Sequence, residues 1–175
     1  MTFQKNVRFD QGFGVVGEIR FDGPHRAAEL ELADQGIVGR VYTVLQTNNA
    51  EDSGRVVMGG ANAIFAGILA NPKVYPYYGS VADSSNDDNR LTIPKGSLAE
   101  FVTMGFIVLQ IKNSARVGDY LEYLHTTGEI QALAHPMDGS EPTPSSGCSL
   151  VPNARVDRYP QTNTDGGLIL ARLTN

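Results

Sequence analysis

The sequence predicts an all-β protein, a compact β-barrel or β-sandwich of jelly-roll-like type with long loops and an N-terminal arm. Three observations predict this class. Turn signals built from Gly, Pro, Asn and Asp recur about every ten residues. Short apolar or alternating runs lie between them, as expected for half-buried strands. Helix signals are sparse, and the 19 Gly and nine Pro residues are spread throughout the chain.

The first half of the chain contains four strand patterns. VVGEIRF (15–21) alternates between apolar and polar residues, GRVYTVLQ (39–46) is β-branched and aromatic, and AIFAGILA (63–70) is apolar on both faces. SLAEFVTMGFIVLQIK (97–112) is long enough for two strands. We expect two segments bent at Gly105, because glycine inside a strand often marks a bulge.

The second half predicts a hairpin and two closing strands. DYLEYLH (119–125) and EIQAL (129–133) flank a turn, HTTG, whose glycine is available for a positive φ. ARVDRYP (154–160) and GLILARL (167–173) are the last two strand patterns.

The remaining segments are assigned by composition. PHRAAELELADQG (24–36) contains good helix formers, but AELELA alternates strictly and favours a strand. Polar segments 79–90 and 135–147 are expected to be loops, either solvated and flexible or functional. We expect one β domain over 15–175, preceded by an arm or first strand over 1–14.

Composition excludes several function classes. The net charge is −5 and the fourteen Lys and Arg residues are scattered along the chain, which argues against direct nucleic-acid binding. A single cysteine excludes an intramolecular disulfide and a thiolate metal site. The first residues lack the apolar core of a signal peptide, and GFIVLQI is too short to cross a bilayer. We therefore expect a protein that is made and kept soluble in a cytoplasm, without a membrane partner.

No catalytic motif is present around the candidate nucleophiles and bases. The histidines His25, His125 and His135 lie in no recognisable motif, and GxSxG, HExxH and P-loop patterns are missing. Cys148 lies in a Ser/Gly/Pro-rich segment and is interpreted as an inert structural thiol.

Acidic residues add no predicted site. Asp83, Asp87 and Asp88 could bind a hard cation, but the glycine and glutamate of a calcium loop are missing, so a solvated loop is favoured. Glu18 and Glu100 are interpreted as solvent-facing strand residues. The sequence therefore predicts no catalytic residue, cofactor or metal.

An aromatic cluster follows the third strand pattern. Tyr75, Tyr77 and Tyr78 are flanked by Pro72 and Pro76, which cannot donate to a β-ladder and so place the segment at an edge or outside the sheet. Tyrosine offers a large contact area with a polar tip and is enriched at interfaces. Three interpretations stay open: a partner-binding surface that includes Pro76, ordinary core and rim tyrosines, and a sugar-stacking platform.

The N-terminal segment is the second candidate for partner binding. Phe3, Phe9 and Phe13 are isolated in a polar stretch, as in an arm that orders on its partner. An ordinary first strand is the alternative.

Taken together, the order of these motifs resembles the tailed-bacteriophage capsid cement, or head decoration, proteins. The resemblance covers most of the chain. It lies in GFGVVGEIRFDGPHRA (12–27), GRVYTV (39–44), FAGILANPKVYPYYG (65–79), the segment 98–133 and the terminal GGLILARLT (166–174).

The resemblance implies a virion protein on the capsid exterior that binds the major capsid protein and stabilises contacts between neighbouring copies of it. It also implies self-association, as a homotrimer first and a dimer second, with no cofactor and no catalytic residues. A carbohydrate- or receptor-binding head module using the three tyrosines and loop 79–90 is the first alternative, and a small β-fold enzyme is the second.

Overall fold

Every regular element in the described part of the chain is a β-strand, so the all-β prediction is confirmed. The computed structural model describes residues 14–20, 23–47, 54–61, 63–72, 91–136 and 140–174. The strands are β1 (Ile19–Arg20), β2 (Arg26–Glu31), β3 (Gly36–Ile37), β4 (Val41–Val44), β5 (Val56–Met58), β6 (Phe65–Leu69), β7 (Thr92–Ile93), β8 (Leu98–Ile111), β9 (Tyr120–Leu124), β10 (Ile130–Leu133), β11 (Cys148–Arg158) and β12 (Gly167–Leu173).

Strand β8 organises the sheet, because its 14 residues pair with five other strands. Residues 98–104 pair with β2 and residues 105–111 pair with β12, both antiparallel. Strand β6 pairs at 101–102, β1 at 106–107 and β10 at Ile111. One strand therefore contributes to two different groups of neighbours.

Each group closes into a ring of five strands. In the C-barrel, β8 is followed by β12, β11, β9 and β10, and a parallel pairing of Ile130 with Ile111 returns to β8. In the N-barrel, β2, β8, β6, β4 and β5 follow one another, and a parallel bridge between Leu32 and Val56 joins the ends. The predicted barrel is therefore present as two small rings that share β8.

Two buried apolar clusters correspond to these rings. The N-barrel cluster includes Tyr42, Leu69 and Phe101, whereas the next side chain along β8, Val102, belongs to the C-barrel cluster. Val41 and Ile68 likewise belong to the C-barrel cluster. Strands β4 and β6, and strand β8 at Phe101 and Val102, are therefore buried on both faces, which explains why AIFAGILA is apolar throughout.

The β9–β10 turn fastens the C-barrel to the N-barrel. Val41 N donates to Gly128 O at 3.0 Å, and Gly60 N donates to His125 O at 2.8 Å. Gly59, with φ of 72°, lies so close to this turn that an added Cβ would overlap the His125 carbonyl oxygen. The close approach of two backbones requires glycine at this position.

A buried ion pair strengthens the same junction. Arg40 is 6% exposed, donates from Nη1 to Thr127 O at 2.6 Å, and pairs from Nη2 with Glu129 Oε1 at 3.1 Å. Lys112 Nζ lies 3.4 Å from the same carboxylate oxygen. The charge of Arg40 is thus compensated where the two barrels meet, as a buried guanidinium requires.

Most predicted strands are confirmed, and the differences have physical causes. The alternating part of 24–36 forms β2, and the hairpin forms as β9 and β10. The predicted two segments of 97–112 form one continuous strand, and Gly105, with φ of 121°, lies where the partner changes from β2 to β12.

Strand β11 begins at Cys148, earlier than predicted, because a bulge at Pro152 and Asn153 interrupts its pattern. Loop 79–90 lies outside the described residues. The single domain over 15–175 and the arm over 1–14 stay predictions.

Replacing Gly59 by Ala should weaken the junction. The substitution adds left-handed strain of about 1–2 kcal/mol and forces the β9–β10 turn away from β4. Gly54→Ala is the matched control, because Gly54 also has a positive φ (88°) but has nothing within 4 Å of an added Cβ. Urea unfolding should show an additional loss of about 1–3 kcal/mol for Gly59→Ala. Equal losses for the two variants would contradict the close approach.

The stability of the N-barrel should fall at high pH because of Tyr42. Burial raises the pKa of Tyr42 to about 12, although its hydroxyl accepts a hydrogen bond from Ile37 N at 2.7 Å. A folded pKa above the unfolded value of about 10 leaves stability intact below pH ~10 and removes it as the pH rises towards ~12. The loss attributable to Tyr42 should reach about 2–3 kcal/mol. Unfolding curves across this range should show a steeper decline for wild type than for Tyr42→Phe; parallel declines would refute the assignment.

Candidate functional site

The aromatic residues predicted to bind a partner are not placed by the structure. All seven lie outside the described residues, so their role stays a prediction. They are Phe3, Phe9, Phe13, Tyr75, Pro76, Tyr77 and Tyr78.

The histidines form no catalytic triad among the described residues. His125 Nε2 lies 2.8 Å from Ser149 Oγ, and its ring lies edge-on to Tyr123. A nucleophilic serine needs a base that a third group orients, and no described carboxylate bonds the His125 ring. The pair instead joins the neighbouring strands β9 and β11. The described residues also contain no cluster of three or more His, Cys, Asp or Glu suited to a metal ion.

Cys148 has the environment of a structural thiol. It is buried, and Gln131 Nε2 lies 3.7 Å from its Sγ atom. Burial raises the pKa of the thiol, and the nearby charge of Glu122 raises it further. A raised pKa keeps the unreactive thiol form at neutral pH.

A buried carboxylate fastens the loop before β11 to the barrel wall. Glu122 is 1% exposed and accepts hydrogen bonds from Gln131 Nε2 at 2.6 Å and from both Ser145 N and Ser145 Oγ at 2.7 Å. Three donors compensate the desolvation of the charge. Sequence reasoning missed this role, although a lone glutamate inside the apolar strand YLEYL was a visible signal.

The outer face of the C-barrel carries a row of arginine and aromatic side chains, which we call the arginine ladder. Directly paired residues on neighbouring strands share one face of a sheet. The sequence neighbours of the ladder, such as Ile107 and Ala171, are buried in the barrel core, so the ladder faces outwards. Across the sheet the ladder consists of Arg20 (β1), Phe106 (β8), Arg172 (β12), Arg155 (β11) and Tyr120 (β9).

One end of the ladder is held by an aromatic contact. The Arg155 guanidinium carbon lies 4.1 Å from the centroid of the Tyr120 ring, and Arg155 Nη2 donates to the Tyr120 hydroxyl at 2.6 Å. Such a cation–π contact fixes the orientation of the guanidinium without neutralising it. In the described part of the chain, Arg155 makes no ion pair.

The other arginines of this face lie close to carboxylates. Arg172 Nε lies 3.7 Å from Asp157 Oδ1, and Arg158 Nε lies 3.2 Å from Asp157 Oδ2. Arg20 Nη1 lies 4.0 Å from Glu18 Oε1. Arg155 therefore differs from them, because it has no carboxylate at ion-pair distance among the described residues.

A shallow pocket lies beside Arg155. Four residues of β11, from Val151 to Ala154, stand opposite the single residue Leu121, and this bulge includes Asn153 with φ of 51°. The pocket has a volume of about 470 Å³ and is lined by Tyr120, Glu141, Pro142, Leu150, Val151, Pro152, Asn153, Arg155 and Thr174. The lining thus combines apolar residues with the oriented guanidinium of Arg155 and the carboxylate of Glu141.

Sequence reasoning missed the ladder for a specific reason. Arg155 in ARVDRYP and Arg172 in GLILARL each lie between two apolar residues, which signals an outward-facing strand surface, but each alone is an ordinary solvent-facing residue. Only the cross-strand register places Arg155 against Arg172 and both in line with Arg20. In the described residues we find no helix with the length and hydropathy needed to cross a membrane.

Comparison with protein families gives one match. The family model described as "Structural cement protein (E217 gp24/Pam3 gp6)" matches residues 3–174. A search of curated proteins finds no match.

Solved structures show a related fold. A chain from "The capsid of Myoviridae Phage XM1" is similar with a TM-score of 0.64 at 18% sequence identity, and the alignment covers 100% of this chain and 99% of that chain. A weaker likeness, with a TM-score of 0.46 at 12% identity, covers 86% of this chain and 95% of a chain from "The crystal structure of head fiber gp8.5 N base in bacteriophage phi29". Only the first likeness supports a common fold.

Replacing Glu122 by Gln should release the loop before β11. One carboxylate oxygen would be replaced by an amide nitrogen that faces a hydrogen-bond donor. A buried polar group left unpaired in this way lowers the free energy of unfolding by about 1–3 kcal/mol. Thermal unfolding should show this loss, and hydrogen exchange at the Ser145 amide should accelerate. Glu100→Gln makes the same chemical change on the exposed face of β8 and should leave both quantities unchanged. Indistinguishable behaviour of the two variants would contradict the fastening role.

Proposed function

The chain belongs to the bacteriophage structural cement proteins, because the family model spans residues 3–174, and we propose that it fastens neighbouring major capsid proteins together on the outside of the head. The family match confirms the resemblance found in the sequence and the capsid cement role that it implied. The major capsid protein as direct partner and the lack of any catalytic role are our proposals. The match does not favour the alternative of a sugar- or receptor-binding module.

The architecture suits a protein that resists separation of its partners. Strands β4 and β6, and strand β8 at Phe101 and Val102, are buried on both faces, and the junction between the barrels combines backbone hydrogen bonds with the Arg40–Glu129 ion pair. A load applied to one barrel therefore passes into the other through paired backbone. Packaged DNA pushes a shell outwards, and a stiff clip across two capsomers opposes that motion.

Moderate affinity at each site is sufficient for such a clip. Copies that engage several subunits at once gain avidity from effective concentration rather than from any single contact. A homotrimer, with a dimer as second choice, remains the assembly that we expect. The seven aromatic and proline residues predicted from sequence remain our proposed contacts within 1–14 and 73–90.

Binding to heads that lack this protein tests the proposal. Purified full-length protein should sediment with heads of the cognate phage and raise the temperature at which they release DNA. Tyr77→Ala should weaken binding because it removes a proposed aromatic anchor, whereas Leu98→Ala, which truncates an exposed apolar side chain on β8, serves as control. Heads that neither retain the protein nor gain heat resistance would refute the cement role. Equal binding by the two variants would refute the tyrosine contact alone.

A further inference from the structure

We infer that the arginine ladder binds a carboxylate-bearing segment of a neighbouring shell protein, with Arg155 as the anchor. This inference rests on the proposed function and names the chemistry of one contact. It starts from charge: Arg20, Arg158 and Arg172 each have a carboxylate within 4.0 Å, whereas Arg155 has none among the described residues. A guanidinium without a carboxylate partner selects an acidic group on a binding partner.

Arg155 is the best-prepared group on this face. Its bond to the Tyr120 hydroxyl uses one of the five N–H donors of a guanidinium. The ring beneath it fixes its orientation before any partner arrives, so little side-chain entropy is lost on binding. Within the described residues no carboxylate neutralises it. A guanidinium held in this way can donate two parallel hydrogen bonds to the two oxygens of a carboxylate.

The surroundings of Arg155 define the size of the ligand group. The lining of the pocket of about 470 Å³ beside it includes Pro142, Leu150 and Pro152. These three apolar residues can pack against the methylene stem of a Glu or Asp side chain while the guanidinium binds its carboxylate. Arg172, with half of its side chain exposed, lies next to Arg155 across the β11–β12 pairing and can take a second carboxylate.

A segment of a shell protein fits this face better than nucleic acid or a second copy of this chain. A nucleic-acid backbone needs several unopposed cations, whereas Arg20, Arg158 and Arg172 each have a carboxylate within 4.0 Å. A second copy joined by two-fold symmetry would place the ladder against itself, and like charges would then face each other. Aromatic and arginine side chains together are typical of protein interfaces.

Charge removal on the intact protein tests the inference. Arg155→Gln and Arg172→Gln should each weaken binding to undecorated heads roughly tenfold. Lys95→Gln is the control, because it also removes one positive charge. Lys95 lies in an exposed turn before the start of β8, far along the strand from the ladder residue Phe106, so this variant should bind like wild type. Tyr120→Phe keeps the ring but removes the hydroxyl that positions Arg155, so it should weaken binding less than Arg155→Gln. Matching thermal unfolding curves would show that each variant is folded.

Covalent capture identifies the partner group. Arg155→Lys introduces an amine that a carbodiimide can couple to a carboxylate in contact with it, and mass spectrometry should find that amine joined to an Asp or Glu of a shell protein. If wild type binds heads but both Arg→Gln variants bind equally well, the inference is wrong while the cement role stands. If the wild-type protein does not bind heads, both the inference and the cement role are wrong. Coupling to a second copy of this chain, or duplex DNA binding that the Arg→Gln variants lose, would also overturn it.

Discussion

The structure depends on strand β8 being shared. Its first half completes one five-stranded ring and its second half completes another, so the two cores cannot be separated without breaking the pairing of a single strand. Alternate side chains along it, such as Phe101 and Val102, enter different cores. Gly105 lies where the partner changes, and its positive φ is accessible to glycine at little cost.

Sharing a strand creates a second requirement, because two rings joined only by β8 could rotate about it. The β9–β10 turn meets this requirement by placing its backbone against β4 and the residues after β5, where Gly59 permits the contact. Arg40 and Glu129 add a compensated ion pair at the same place. The polar groups that are most costly to bury therefore hold the barrels together, while Glu122 holds a loop in place.

Because packed side chains fill the interior of both barrels, we expect partner binding to take place on the outer surface. A cement protein needs rigid anchor side chains more than it needs a reactive group, and the C-barrel offers such anchors where Arg155 lies on Tyr120. The strands determine the spacing of the ladder, since each member is the cross-strand partner of the next. The same paired backbone that resists deformation thus positions the charges that we propose to contact the shell.

The sequence by itself determined the class of the fold, the alternating strand β2, the β9–β10 hairpin and the family, because local periodicity, turn chemistry and motif order are properties of neighbouring residues. It also indicated double burial in AIFAGILA from continuous apolarity. Tertiary structure alone decided that there are two rings, that Glu122 is buried, and that Arg20, Arg155 and Arg172 form one row. These features depend on register between strands as far apart in the chain as β1 and β8, where Ile19 pairs with Ile107, since side chains on paired strands become neighbours whatever their separation in sequence.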